Sequence, residues 1–342
     1  MTNRITMSDI ARQAGVSLMT VSRVINQKDD VSPETRQRIL DIIEDLGYRP
    51  SGIARSLATQ RTGTIGLVVP DIANPYFSGI AQGVAEIAYA EDFSVLLCDC
   101  DERPERELEM LQVLDDKRVD GVIVAAPRLD TQLLVPAMAN HANVVLINRR
   151  FDDPLQSSVI GYVVSDDETG GKLATKTLLD HGYSRVGFLA GPRASYGSMR
   201  RMVGYEQALG EAGKPLLPEL IQYCSPTVKG GREASHLLLE SNPDLRCLFC
   251  FNDLVAIGVL QTCSELGLRV PDDLAIVGYD DIPMASWVQP QLTTCRVDFE
   301  KMGRQATQLL INYLENCSEG CQNIILQPEI ILRASAPGPG PL

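Results

Sequence analysis

The chain has 342 residues, enough for two or three domains with full hydrophobic cores. Its net charge of −13 is unevenly spread: residues 1–61 carry nine Lys and Arg against seven Asp and Glu, the remainder 22 against 37, so only the first segment suits a polyanion. The acidic balance of the whole does not exclude nucleic acid, because repulsion from a distant domain is screened within about 8 Å at physiological salt. The amino terminus lacks the charged-then-apolar layout of a signal peptide, and no run approaches the ~18 to 20 apolar residues of a membrane helix. A cytoplasmic protein is expected. Nine cysteines, an odd number, are too sparse for a disulfide scaffold and fit a reducing compartment.

Residues 6–26 read as two short capped helices joined by a glycine turn. Thr6 is placed to cap the first helix with Asp9 three residues on, and Ile10, Ala11 and Ala14 form its buried stripe. Gly15 supplies the turn. Ser17 starts the second helix, in which Val21, Val24 and Ile25 face inward and Leu18, Met19, Thr20, Ser22 and Arg23 point out. Such a helix fits a DNA major groove, although two capped helices around a glycine also make an ordinary helical hairpin. Ser32-Pro33-Glu34-Thr35 announces a third helix ending at Gly47, whose Ile39, Ile42, Ile43 and Leu46 close a three-helix core. Ser51 to Gln60 then forms a small-residue helix of under three turns, too short to be stable alone.

Taken together, the helix-turn-helix, the Val-Ser-Arg-Val-Ile-Asn run (residues 21–26), the Leu-Gly-Tyr-Arg-Pro end (46–50) and the Ala-Arg-Ser-Leu-Ala hinge (54–58) resemble the lactose/galactose repressor family of bacterial transcription regulators. The resemblance runs to the end of the chain. It implies an α/β protein with an N-terminal three-helix headpiece at 1–49, a hinge helix at 50–61, and a two-lobed core of doubly wound parallel sheets, like that of periplasmic binding proteins, at 62–342. The lobes are expected at about 62–163 with 293–324, and about 164–292 with 325–342. DNA contacts are expected from Thr6, Ser17, Leu18, Met19, Thr20, Ser22, Arg23 and Asn26 of the headpiece, and from Tyr48, Ser51, Ala54 and Leu57 near the hinge. Leu57 of each hinge is expected to wedge into a central minor-groove step.

From Gly63 onward, near-continuous apolar runs alternate with helices, the mark of parallel strands covered on both faces. One set of strands is read at Ile65–Val69, Val95–Cys98, Gly121–Val124 and Val144–Ile147; a second at Val159–Val164, Val186–Ala190, Cys247–Phe251 and Leu274–Gly278. In two facing lobes the carboxyl ends of such strands point into one cleft, where ligands sit. Asp71, Asn74, Tyr76, Phe77, Asn148, Arg149, Arg200, Arg201, Asn252, Asp253, Asp280 and Asp281 all follow strands, and with Phe299 they suit a polyhydroxylated ligand. The competing reading is that Asn and Asp after a strand cap the next helix, as Asp253 and Asp167 would.

The family resemblance carries the effector role to Arg201, three residues before Gly204-Tyr205, to Asn252 in Phe251-Asn252-Asp253, and to Asp280 in Val277-Gly278-Tyr279-Asp280-Asp281, with Arg200 a neighbour. Phe299 follows as the ring-stacking candidate, and Tyr76, Phe77 and Asn148 as supporting contacts. Many relatives carry Asp at the position of Asn148; an amide both donates and accepts, so hydroxyls are still readable there. The expected effector is a neutral sugar, with a nucleobase as the alternative.

Phosphate-cradling glycine loops, a Gly-x-Ser-x-Gly elbow and paired histidines are missing from the sequence, so no enzyme, cofactor or metal is expected. Cys247 and Cys250 lie three apart on one strand and point to opposite faces, and Cys98 with Cys100 reads as buried core. A sugar-binding transport protein would share the core but not the headpiece. The hinge folds only when two copies pack over DNA, which implies a dimer on a pseudo-palindromic operator. The Pro/Gly-rich carboxyl terminus follows no heptad run, so a zipper-type tetramer is not expected.

Overall fold

The computed structural model describes residues 5–25, 28, 30–48, 61–151, 158–316 and 322–337. Asn26, Ser51, Ala54 and Leu57 lie outside the described residues, as does the expected hinge helix. The chain divides into two compact units, Met1–Thr62 and Gly63–Leu342.

In the first unit, α1 (Met7–Ala14), α2 (Leu18–Ile25) and α3 (Pro33–Asp45) enclose Ile10, Ala11, Ala14, Val21, Val24 and Ile39. Each start has the chemistry its sequence promised. The Asp9 carboxylate accepts from the Thr6 backbone N–H at 3.0 Å and from its hydroxyl at 2.7 Å. Ser17 Oγ accepts from Thr20 N at 3.1 Å, and Ser32 Oγ from Thr35 N at 3.3 Å with Pro33 next to it. Gly15 turns at φ 66°, a left-handed conformation that costs glycine nothing.

The second unit holds two six-stranded sheets. The first runs in the order β11-β5-β4-β3-β1-β2, from β1 (Thr64–Val69), β2 (Ser94–Asp99), β3 (Gly121–Ala125), β4 (Val144–Ile147), β5 (Val159–Ser165) and β11 (Gln322–Leu326). The second runs β12-β10-β9-β8-β6-β7, from β6 (Gly187–Ala190), β7 (Ile221–Tyr223), β8 (Cys247–Cys250), β9 (Ala275–Asp280), β10 (Thr293–Arg296) and β12 (Glu329–Ile331). All pairings are parallel except β10 with β12. Helices α4 (Pro75–Ala90), α5 (Pro104–Asp116), α6 (Thr131–Ala139) and α11 (Phe299–Asn316) belong with the first sheet. Helices α7 (Asp167–Asp180), α8 (Tyr196–Glu211), α9 (Val228–Ser241) and α10 (Asp253–Leu266) belong with the second.

Three strand assignments differ from the sequence reading. Val159–Val164 was expected among the second set of strands, yet it pairs with β4 and β11 in the first sheet. Thr293–Arg296 was expected in the first lobe but adds to β9 in the second sheet, so the chain crosses at 297–298. The return crossing comes after Leu326, because β11 continues past residue 324 before β12 joins β10. Strands apolar on both faces carry no signature of which sheet they join; that choice rests on partners far away in sequence.

Helix pairs meet at glycines. A Cβ on Gly83 of α4 would stand 2.1 Å from the Glu300 carbonyl oxygen of α11, and one on Gly204 of α8 would stand 2.0 Å from the Glu168 carbonyl oxygen of α7. Only a missing side chain lets these backbones approach so closely.

Candidate functional site

On the first unit, α2 presents an apolar and basic outer face. Leu18 and Met19 are 49% and 65% exposed, a large apolar surface that does nothing for the three-helix core. The Thr20 hydroxyl is engaged with Ser17 Oγ at 2.9 Å, and Arg23 Nη1 pairs with Asp30 at 3.0 Å in an exposed contact. Ser22 is half-buried on the same helix. Thr6 is committed to its cap, and Tyr48 packs against the helical core, so both stand as supports rather than as free reading groups.

On the second unit, residues of both lobes wall a cavity at the ends of the strands. The first lobe contributes Asn74, Tyr76, Phe77, Glu102, Arg128 and Asn148; the second contributes Asp167, Ser195, Arg201, Phe251, Asn252 and Asp280. The cavity volume is about 30 Å³, room for one or two waters. Three helices begin at its wall, because Asn74, Ser195 and Asn252 are the N-caps of α4, α8 and α10.

Arg201 is the centre of the second lobe's wall. Its Nε donates to Asp167 Oδ1 at 2.9 Å, its Nη1 to the Phe251 carbonyl at 2.6 Å, and Nη2 lies 3.6 Å from Asp280. The guanidinium carbon sits 3.5 Å from the centroid of the Tyr279 ring and 4.8 Å from that of Phe251, a cation held by two aromatic faces and two carboxylates. Burial is the largest single influence and works against the arginine charge, but Asp167 together with the other groups around the guanidinium outweighs it and holds Arg201 more firmly protonated than usual. Asp280, equally buried, is pushed well above the usual carboxylate range by loss of solvent. Its backbone stands at φ 104°, a strained conformation for a non-glycine residue.

In the first lobe Asn148 also has positive φ, 53°, which asparagine tolerates better than most. From there its Nδ2 donates to the Tyr76 hydroxyl, and its Oδ1 accepts from Ser165 N at 3.3 Å. Burial raises the Tyr76 pKa, so its hydroxyl stays protonated.

Of the effector residues expected from sequence, Tyr76, Phe77, Asn148, Arg201, Asn252 and Asp280 all line this cavity. Phe299 does not: its ring fills the space over Gly79 and meets Tyr76 edge-on at 5.5 Å, leaving Phe251 as the second-lobe aromatic in the wall. Arg200 pairs with Glu168 away from the cavity, and Arg149 donates to Thr131 while stacking on Tyr196. The capping alternative is half right with the residues exchanged. Asn252 and Asp166 are the caps, whereas Asp253 accepts from Ile282 N and Thr294 Oγ1, and Asp167 holds Arg201. Asn252 also donates to the Pro226 carbonyl at 3.2 Å, so its amide is engaged at both ends.

Sequence reasoning missed Glu102 and Arg128, which follow β2 and β3. Arg128 donates from Nε and Nη2 to the two Glu102 oxygens at 2.6 and 3.0 Å, a bidentate pair at the wall of the cavity. The signal is available in the sequence, since both sit just past strand ends, where ligand-binding residues gather. Among the described residues no cluster of His, Cys, Asp and Glu could hold a metal, and no helix is long and apolar enough to cross a membrane.

Comparison with known proteins agrees with this architecture. Residues 62–334 match the family described as periplasmic binding proteins and sugar binding domain of LacI family, and residues 6–51 match bacterial regulatory proteins, lacI family. The chain is 36% identical to the HTH-type transcriptional regulator RegA of Clostridium saccharobutylicum, over 96% of this chain and 98% of that protein. It is 34% identical to the HTH-type transcriptional repressor PurR of Pasteurella multocida, over the same shares. Among solved structures, the complex of the transcriptional regulator CelR with cellobiose aligns with TM-score 0.74 and 32% identity, covering 97% of this chain and 100% of that one. The lac repressor dimer bound to operator and the anti-inducer ONPF aligns with TM-score 0.87 and 25% identity, covering 98% and 100%. With a three-helix headpiece, a two-lobed core and matches along nearly its whole length, the chain belongs to the lacI family of bacterial regulatory proteins and is a DNA-binding transcription regulator controlled by an effector.

Proposed function

We propose that the protein is a homodimeric, cytoplasmic, non-enzymatic repressor whose affinity for a pseudo-palindromic operator is set by a neutral sugar held between the lobes of its core. The observation that carries this reading is the cavity in which buried Arg201, Asp167 and Asp280 of one lobe meet Tyr76 and Asn148 of the other. These groups offer donors and acceptors from both lobes to a polyhydroxylated ligand admitted when the lobes part, with Phe251 and Phe77 as apolar walls. Asn252, occupied by its cap and the Pro226 carbonyl, acts by positioning α10.

A ligand that touches both lobes stabilises one arrangement of them, and that differential contact is what an allosteric effector requires. The exposed Leu18, Met19 and Arg23 face of α2 supports major-groove reading, with thymine methyls for the first two and guanine or phosphate for Arg23. Dimerisation is supported by the apolar edge of the first sheet, where Leu96 and Leu97 of β2 are exposed, and by Trp287, 71% exposed. Two copies then read half-sites about one helical turn apart.

The test is a thermal-shift screen of the full chain against ribose, cellobiose and free nucleobases, followed by calorimetry and an operator gel shift. A neutral sugar is expected to bind and to change operator affinity, and Asp280→Asn to lose sugar affinity several-fold while still binding operator. A nucleobase hit with no sugar hit moves the effector to the alternative class. Sugar binding with no DNA binding makes the chain a transport-type binder.

A further inference from the structure

Each lobe lines the cavity with an arginine that is already charge-compensated from within its own lobe. Arg201 has Asp167; Arg128 has Glu102 in bidentate contact, with its Nη1 donating to the Ala126 carbonyl at 2.6 Å. Of the five N–H groups of Arg128 these contacts occupy three. Glu107 is the other carboxylate near this guanidinium, but the oxygen with hydrogen-bond partners is spent on the backbone N–H groups of Arg128 and Leu129, at 2.7 and 3.4 Å. The Arg128 side chain is only 5% exposed and Glu102 21%, so the arginine is buried while its partner keeps partial access to water.

This balance has a consequence for what the cavity admits. Two arginines and the amino ends of three helices face it, a set that by itself would attract an anion. The carboxylates of Glu102 and Asp167 occupy that positive potential first. A phosphorylated or carboxylated ligand would have to displace a carboxylate from an arginine, or stand beside it in a space with room for few waters. A hydroxyl, in contrast, donates to Glu102 without breaking the pair.

We infer that Glu102 is the anion-excluding residue of the effector site, making the regulator answer to an unphosphorylated polyol and reject its phosphate ester. Glu102 accepts an effector hydroxyl while holding Arg128 neutralised. The inference rests on the sugar-site reading above and adds to it the discrimination between a sugar and its phosphate.

The test uses the full chain, its Glu102→Gln and Glu102→Ser variants, and four probes: ribose, ribose 5-phosphate, cellobiose and inorganic phosphate. Affinities come from calorimetry and folding from circular dichroism. The wild type is expected to bind a neutral sugar and to bind neither phosphate probe measurably. Removing the Glu102 charge frees Arg128, so both variants are expected to bind inorganic phosphate or ribose 5-phosphate at least about tenfold more tightly than the wild type, the size of one charge-assisted hydrogen bond. The same variants are expected to lose neutral-sugar affinity several-fold, and Arg128→Gln added to Glu102→Gln is expected to abolish the gain for phosphate. Two variants are used because glutamine can hydrogen-bond Arg128 in place of the carboxylate, whereas serine is too short. Wild-type binding of ribose 5-phosphate as tight as ribose overturns the inference, as does unchanged discrimination in whichever variant folds. If the wild type binds none of the sugars yet the variants acquire phosphate binding, the charge balance stands and the sugar reading falls.

Discussion

Arg201 Nε and Asp167 Oδ1 lie 2.9 Å apart with both side chains at most 5% exposed, which makes them inseparable parts of one buried charge system. Removing the cation strands the Asp167 carboxylate without solvent, and breaking a buried pair from one side costs about 3–5 kcal/mol. Arg201→Ala is therefore expected to destabilise the core by that order in urea unfolding, as well as to lose effector binding. Asp280→Asn, isosteric and leaving the Arg201–Asp167 bond in place, is expected to retain most of the stability. Equal unfolding midpoints for Arg201→Ala and wild type would show that the pair contributes nothing to the fold.

Asp253 couples the core to pH. It is fully buried, and loss of solvent raises its pKa to about 7 in spite of hydrogen bonds from Thr294 Oγ1 and Ile282 N. Between pH 4 and 7 the native state holds a proton that the unfolded chain has released, so this group's contribution to stability falls as pH rises through the window, by up to about 1.4 kcal/mol per unit, and levels off above it. His141, whose pKa burial lowers, works in the opposite direction below its ordinary value. Asp253→Asn isolates the carboxyl: its stability is expected to fall less, or rise more, between pH 5 and 7 than that of the wild type. Parallel pH profiles of denaturation midpoint would count against the assignment.

The Arg23–Asp30 pair predicts a gain of function in the headpiece. Asp30 engages Arg23 Nη1 and so competes with guanine or phosphate for it, and Asp30 itself repels the DNA backbone. Asp30→Asn is expected to tighten operator binding several-fold at low salt, with the gain shrinking as salt rises. Arg23→Ala is expected to cost about 1–3 kcal/mol if it reads guanine. Leu18 and Met19 are expected to change which sequence a binding selection recovers, with little effect on the salt slope.

Leu97 and Trp287 report on assembly. Leu97→Glu places a charge on the exposed edge strand β2 and is expected to shift the protein to monomer in sedimentation and to weaken operator binding without altering effector affinity. Trp287 is the only tryptophan of the chain, so its emission is expected to move to shorter wavelength with rising protein concentration in the wild type and to stay fixed in the variant.

Glycine substitutions separate close approach from mere propensity. Gly83→Ala drives a methyl into the Glu300 carbonyl and is expected to cost about 1–3 kcal/mol, or more if α4 and α11 must part. Gly210, also helical, has nothing within 4 Å of where its Cβ would stand. Gly210→Ala is expected to stabilise by about 0.4–1 kcal/mol, a difference that thermal unfolding of the two variants resolves.

The headpiece was legible because its signals are local. The stripe of Ile10, Ala11 and Ala14, the caps at Thr6, Ser17 and Ser32 and the turn at Gly15 all depend on residues a few positions apart. Cavity residues such as Tyr76 and Asn148 were legible from the rule that ligands gather beyond strand ends, and Arg201 from the family resemblance. What escaped depends on distance. The sheet that β5 and β10 join, the Glu102–Arg128 bond across 26 positions, and the pairing of Gly83 with Glu300 are each settled by a partner remote in sequence. The exchange of roles between Asn252 and Asp253 is subtler: both follow the strand, and one residue of register decides which caps the helix and which enters the core.

A cavity of about 30 Å³ cannot receive a sugar ring as it stands, so entry waits on the two lobes parting along the crossings after β5, at 297–298 and after β11. Ligand capture is then a gated event, and its observed rate levels off at high effector concentration at the frequency of opening. Escape is gated in the same way. A regulator built like this averages over brief fluctuations in effector supply, over a time set by how often the lobes part with the effector in place, which contacts bridging both lobes lengthen.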